Sequence, residues 1–362
     1  MHHPSPQTIP LTRRAALALV ALAALVAPAT ARPSEDKLRV VVTLPDLADL
    51  ARRIGGARVE VEALATPGQN LHAVRVKPSH LVALSRADVF VQVGLSLEHA
   101  WVPGLLESAR NRKVAPGGAG FIDAGAGFPT IGVPATLDRA QGVDVHPEGN
   151  PHINLALDGG AYLAANILAG LARVAPQYAD EFRANHAVWR AEFDAARARW
   201  GALAAAIGAR HATVCVYHQE FDYLLRDLGL GLAAALEPKP GVPPTPAHLT
   251  RVIEALRAQE PVAIVTAAWS NGKSVARVAE ATGAPALELP IMVGGPGMET
   301  WITAMTARVE RLARAAGVDP TAVDAALPAP APGKGAAPGK GPAPGKGPAP
   351  GSMQPARGQA AP

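Results

Sequence analysis

A single cysteine, Cys215, stands among 362 residues, which excludes a disulfide framework and any site built from several thiolates. Aromatic residues make up only 4% of the chain. So sparse a set argues against a stacking platform for single-stranded nucleic acid and against a carbohydrate-binding surface. No uninterrupted apolar run reaches the ~20 residues of a membrane-spanning helix. Charge of one sign is also lacking where it would matter. The net charge is +4, but Arg13, Arg14, Lys334, Lys340, Lys346 and Arg357 lie in two end segments without acids. The chain between them carries 28 of the 34 basic residues and all 30 acidic ones, a net of −2. That balance offers no basic face to a nucleic acid, and none is expected as a partner.

Catalytic signatures are missing too. No His-Glu-x-x-His occurs. Asn271-Gly272-Lys273-Ser274 imitates the end of a phosphate loop but has Ala267 where the first glycine belongs. Gly125-Ala126-Gly127 lacks the third glycine of a dinucleotide fingerprint, and Gly94-Leu95-Ser96-Leu97-Glu98 ends on Glu where a nucleophile elbow needs Gly. The pattern is that of a protein without an enzymatic apparatus.

What is present begins with an export signal. Arg13-Arg14 precedes the apolar run Ala15 to Ala27, then Pro28 and the small triplet Ala29-Thr30-Ala31, so residues 1–31 are expected to be removed. No cysteine follows the run, and a soluble periplasmic protein without a lipid anchor is expected. At the other end, 18 of the 35 residues in 328–362 are Gly or Pro, and Ala-Pro-Gly-Lys-Gly occurs three times. A segment with so little to bury is expected to be a disordered tail.

Between these ends, 49% apolar composition supports a sizeable core. Short β-branched runs at 38–44, 58–64, 88–93, 212–217 and 262–266 alternate with helical patterns at 46–54, 78–86, 97–110, 159–174, 248–258 and 272–282. Such alternation predicts parallel sheets covered by helices. Residues 176–207 break the rhythm, placing Tyr178, Phe182, Trp189, Phe193, Ala196, Trp200, Leu203 and Ile207 on one face of a single helix that Gly208 stops. The expected α/β architecture is two Rossmann-like lobes, 36–175 and 209–318, joined by one long rigid helix over 176–208.

Three histidines share a distinctive setting. His72 follows the run at 58–64 in Gly68-Gln69-Asn70-Leu71-His72, His152 ends Gly149-Asn150-Pro151-His152, and His218 directly follows Thr213-Val214-Cys215-Val216-Tyr217. Ligands of open α/β sheets sit beyond the carboxyl ends of strands, and three neutral imidazoles across an interlobe cleft would suit zinc. His80, His99, His186, His211 and His248 fall in helical patterns or at a strand start, where packing or surface roles suffice.

These motifs carry a resemblance. The chain resembles the periplasmic zinc- and manganese-binding proteins of metal ABC importers, the cluster A-I solute-binding family. Their first motif is similar to Gly68 through His72 with Pro78-Ser79, their second to Pro151-His152, and their third to His218-Gln219-Glu220-Phe221-Asp222-Tyr223. Glu237-Pro238-Lys239-Pro240-Gly241 resembles their proline-rich loop, and Leu289-Pro290 their late strand. The resemblance implies capture of a divalent metal, Zn2+ more than Mn2+, by a monomer that delivers it to a membrane ABC permease. It also implies His72, His152 and His218 as ligands. Two departures stand out: Asn70-Leu71 replaces Asp-Pro, and no Asp follows the late strand. The fourth position then falls to His146, Glu220 or water, with His146 favoured. Rival readings of the same histidines are a metallohydrolase, with Glu220 as its base, and a periplasmic metallochaperone. With several imidazoles to deprotonate, zinc affinity is expected to fall below about pH 6 by more than one proton per ion.

Overall fold

The computed structural model describes residues 37–136 and 144–326. The signal and tail expected at 1–31 and 328–362 lie outside the described residues. Among the described residues no helix is long and apolar enough to cross a membrane.

Two four-stranded parallel sheets share one strand order. The first is built from β1 (Leu38–Val42), β2 (Val59–Ala63), β3 (Val89–Gln92) and β4 (Phe121–Asp123), in the order β2-β1-β3-β4. The second repeats that order as β6-β5-β7-β8, from β5 (Thr213–Val216), β6 (Gly231–Ala235), β7 (Ala263–Thr266) and β8 (Ala286–Glu288). Val42 pairs with Ala63 on one side and Val91 on the other, and Val216 likewise with Ala235 and Val265. In this order the chain leaves the central strand in one direction and returns in the other. A crevice therefore opens at the carboxyl ends of β1 and β3, and again at those of β5 and β7.

Helices α1 (Pro45–Gly55), α2 (Pro78–Arg86), α3 (Val102–Ala109) and α4 (Gly159–Val174) serve the first sheet. Residues 97–101, expected at the start of a helix over 97–110, instead continue a turn that begins at Leu95. The Glu98 carboxylate bends back to accept Val93 N–H at 2.8 Å, Gly94 N–H at 3.1 Å and the Thr43 hydroxyl at 2.7 Å. Leu95 and Ser96 adopt positive φ to allow it, and Pro103 starts the helix proper.

The long helix α5 runs Ala179–Gly208, 30 residues or roughly 45 Å at 1.5 Å per residue. Phe182, Trp189, Phe193, Trp200, Leu203 and Ile207 are buried along it, on the stripe their spacing predicts. After α6 (Asp222–Leu228), α7 (Pro246–Gln259) and α8 (Gly272–Thr282) come α9 (Trp301–Ala315) and α10 (Pro320–Ala326). Helix α9 leaves the second sheet and packs on α5 and α1. Trp301 stands 6.0 Å from Phe193 and 5.9 Å from Trp200 between ring centres. One continuous apolar core therefore contains residues of both sheets, α5 and α9.

Buried polar contacts reinforce this join. Asp46, at the start of α1, accepts Val293 N–H at 2.9 Å, and Asp49 accepts Trp301 N–H at 2.7 Å. Asn154 donates to the Ile291 carbonyl at 2.9 Å, and the wholly buried Arg308 donates to that of Pro290 at 2.6 Å. Arg308 also faces Asp46 at 4.0 Å. The stretch after β8 thus anchors one lobe to the other, with Leu289, Ile291 and Met292 in the core, in the stretch where this chain departs from the resembling family by having no Asp.

Candidate metal centre

Each of the three singled-out histidines is set by a short local device. In Asn70-Leu71-His72 the Asn70 side-chain oxygen accepts His72 N–H at 2.9 Å. In Asn150-Pro151-His152 the Asn150 oxygen accepts His152 N–H at 3.0 Å. The same Asx turn positions both first-lobe histidines. Asn70 can make it without the Asp-Pro of the resembling family. Asn150 also donates to the Gln219 carbonyl at 2.8 Å, tying this loop to the one that carries His218. His218 itself ends the extended stretch after β5 and opens a short 3₁₀ turn, Gln219–Phe221.

These devices bring the three rings together. One ligating nitrogen from each of His72, His152 and His218 lies within 4.8 Å of the others, and they are the one such group among the described residues. The Nε2 atoms of His72 and His152 are 3.1 Å apart. Two nitrogens on one tetrahedral zinc, each ~2.0–2.1 Å from it, stand about 3.3 Å apart, so this pair is spaced for a shared ion. All three residues are buried, at 3–4% exposure.

His218 has a partner the sequence did not reveal. Its Nδ1 meets Glu237 Oε2 at 2.7 Å, and that oxygen also accepts Gly241 N–H at 2.9 Å. A carboxylate accepting from Nδ1 fixes the proton there and leaves the Nε2 lone pair for a metal. Glu237 follows β6, the neighbour of β5 in the sheet, so both side chains emerge at the same carboxyl edge. The sequence marked only the proline-rich stretch that Glu237 opens, not the contact its carboxylate makes.

Electrostatics divides the three. Burial, then the charge a protonated His218 would carry, lowers His72 to about 3. Burial and the neighbouring His72 and His218 put His152 well below the ordinary imidazole range. Burial also pulls on His218, yet the hydrogen bond and charge of Glu237, with Glu220 and Asp144, outweigh it and raise that imidazole.

The two candidates for a fourth donor lie elsewhere. His146 stacks on His72 with ring centres 5.0 Å apart and 26° between planes. An imidazole lone pair lies in its ring plane, so two rings stacked face to face do not aim at one ion within bonding distance. Glu220 is buried, and its Oε2 accepts Trp269 Nε1–H at 3.1 Å. Burial raises its carboxyl to about 7. A cavity of about 250 Å³ lined by His146, His152, His218, Asp144 and Asp222 adjoins the centre.

Among the other histidines, His80 accepts Lys77 N–H at 3.3 Å and caps α2. His186 and His248 lie in α5 and α7.

Residues 40–315 match the family described as "Zinc-uptake complex component A periplasmic". The iron ABC transporter substrate-binding lipoprotein MtsA of Streptococcus pyogenes serotype M1 is 23% identical over 272 residues, 74% of this chain and 84% of that protein. The manganese ABC transporter substrate-binding lipoprotein PsaA of Streptococcus pneumoniae is 25% identical over 231 residues, covering 63% of this chain and 71% of PsaA. In fold, the crystal structure of ZnuA superposes with a TM-score of 0.62 at 23% identity, covering 78% of this chain and all of that one.

Proposed function

The chain belongs to the family of periplasmic component A of the zinc-uptake complex, and from that premise we propose that it captures Zn2+ and hands it to the membrane permease of an ABC importer. The observation that supports this reading best is the convergence of His72, His152 and His218 within 4.8 Å. The relatives named above are substrate-binding components described with iron and with manganese, so the choice of metal rests on this chain's own donors. Three imidazoles form a borderline-soft nitrogen set that favours zinc, whereas manganese gains more from carboxylate oxygens. No carboxylate oxygen joins the converging group among the described residues.

His72 and His152 would hold the ion from the first lobe. His218, oriented by Glu237, would hold it from the second. The fourth position goes to water from the adjoining cavity. A carrier needs no base or nucleophile, in keeping with the sequence. The export expected from residues 1–31 would place the protein in the periplasm, beside such a permease.

Competition titrations of the purified protein decide the metal. Zinc should bind at least tenfold more tightly than manganese at neutral pH. Tighter manganese binding would overturn the assignment. Metal uptake by cells lacking the gene, restored by the parent chain and not by His218→Ala, tests delivery.

A further inference from the structure

Three donors leave one position of a tetrahedral ion open, and the space beside the centre is larger than a water molecule. The cavity of about 250 Å³ has His152 and His218, two of the three donors, in its own wall. A water claims about 30 Å³ of liquid, so the cavity has room for roughly eight of them or for one compact organic molecule. Its walls are fastened across the cleft. Asp144 N–H donates to the Pro240 carbonyl at 3.4 Å, the Asn150 amide to the Gln219 carbonyl at 2.8 Å, and the Tyr223 hydroxyl to the Asn150 carbonyl at 2.6 Å. The space therefore belongs to the joined lobes.

The groups that line it lack partners. His146 is 7% exposed, and neither of its ring nitrogens meets a hydrogen-bond partner. Oδ1 of Asp222 has none either. Buried groups in that state are costly until something pairs with them. Asp144 and Asp222 bring two carboxylates to the wall, and no Lys or Arg lines it among the described residues. A polycarboxylate such as citrate would meet like charge there. A molecule that offers N–H donors to the carboxylates and an oxygen to the His146 ring would pair both kinds of group. The ion adds its own demand, because zinc accepts nitrogen and carboxylate oxygen as donors.

We propose that the cavity binds a free α-amino acid with an N–H-bearing side chain, so that zinc is carried as a ternary complex. The amine and carboxylate of the amino acid take the open side of the ion, in exchange for the water assigned there. Three imidazoles and two such donors make five, a number zinc can reach. The proposal rests on the carrier reading above. A co-ligand that binds only beside the ion stabilises the loaded chain by mass action and so tightens zinc binding.

The test is equilibrium dialysis of the full chain against radiolabelled L-histidine, with free Zn2+ held constant by a metal buffer. The zinc-loaded chain should retain one histidine per zinc, and the metal-free chain none. Labelled citrate should not be retained. With histidine at a hundredfold excess over its dissociation constant, zinc binding should tighten by about a hundredfold. That gain should shrink at least tenfold, to about tenfold or less, in Asp222→Asn and in His146→Leu. Each variant is compared with itself, with and without histidine, so a change in zinc binding alone does not count. No histidine on the zinc-loaded parent, equal retention by the metal-free chain, citrate retained in its place, or an undiminished gain in both variants overturns the ternary complex and leaves the carrier reading intact. A parent that binds no zinc at neutral pH, with or without histidine, would instead overturn the carrier reading.

Discussion

His72, His152 and His218 look alike in the sequence and differ in the structure, because only His218 has a carboxylate on its far nitrogen. Replacing any one of the three by Ala should weaken zinc binding well over tenfold, read by chelator competition, because a nitrogen donor is lost. Glu237→Gln should weaken it by roughly 10- to 100-fold with all three donors kept, the usual effect of removing an orienting partner. His186→Ala should leave affinity unchanged. The pH dependence divides the same way. His72, lowered to about 3, and His152, held well below its ordinary range by burial, are neutral imidazoles at neutral pH, so zinc need displace no proton from their ligating nitrogens. The raised His218 does carry one as pH falls through its titration, and zinc must expel it. Affinity should therefore be full above that range and decline below it by close to one proton per ion. It should steepen only toward about pH 3, where His72 also protonates. On this division burial would replace the multi-proton fall expected from several imidazoles. Titrations at a series of pH values that show three protons released per zinc near pH 6 would contradict this division.

At the scale of elements, what the sequence made legible was what has its own period or punctuation. Helices over 159–174 and 272–282 run as their patterns predict, and α5 differs by three residues at its start, where Pro176 opens a 3₁₀ turn. The central strands were visible because they are β-branched and buried on both faces. Of the edge strands, β2 was visible at 58–64, whereas β4, β6 and β8 were not. They have three to five residues each, pair on one side only, and in Gly231–Ala235 consist largely of alanine. Helix α9 hides for another reason: its apolar face is matched to α5 and α1, distant in the chain. His72 and His152 could be read because Asn, Gly and Pro mark their loops, and His218 because it directly follows a β-branched strand run. Glu237 and the seat of His146 could not, since each depends on which loops meet across the cleft. One element contact is open to direct test. A Cβ on Gly160 would come within 2.6 Å of the Trp301 ring, which Asp49 and Asn154 hold at both its amide and its indole nitrogen. Gly160→Ala should destabilise the protein by ~1–3 kcal/mol as an overpacked contact, measured by urea unfolding.

Over the whole molecule, a shared apolar core and buried polar contacts join the two lobes, while a second apolar cluster lies between the second sheet and α7 and α8. Asp46 is the centre of the join, touching Asn154, Val293 and the charge of Arg308. Asp46→Ala should cost ~3–5 kcal/mol in denaturant unfolding, because it leaves a buried guanidinium without its counter-charge. Unfolding should stay a single transition detected alike by tryptophan fluorescence and circular dichroism. The three donors have a longer reach. Residues 72, 152 and 218 are far apart in the chain, so the denatured polypeptide offers no assembled centre and nearly all binding energy goes to the native state. A free ion at a hundredfold excess over its Kd then adds ~2.7 kcal/mol of resistance to unfolding. Protease half-life of the purified protein should lengthen with free zinc and stop doing so in His218→Ala. Under the proposed function, scarcity of metal would in that way become scarcity of protein: depleted copies would open more often and be cut sooner, and the stock of the chain would come to follow the supply of its cargo.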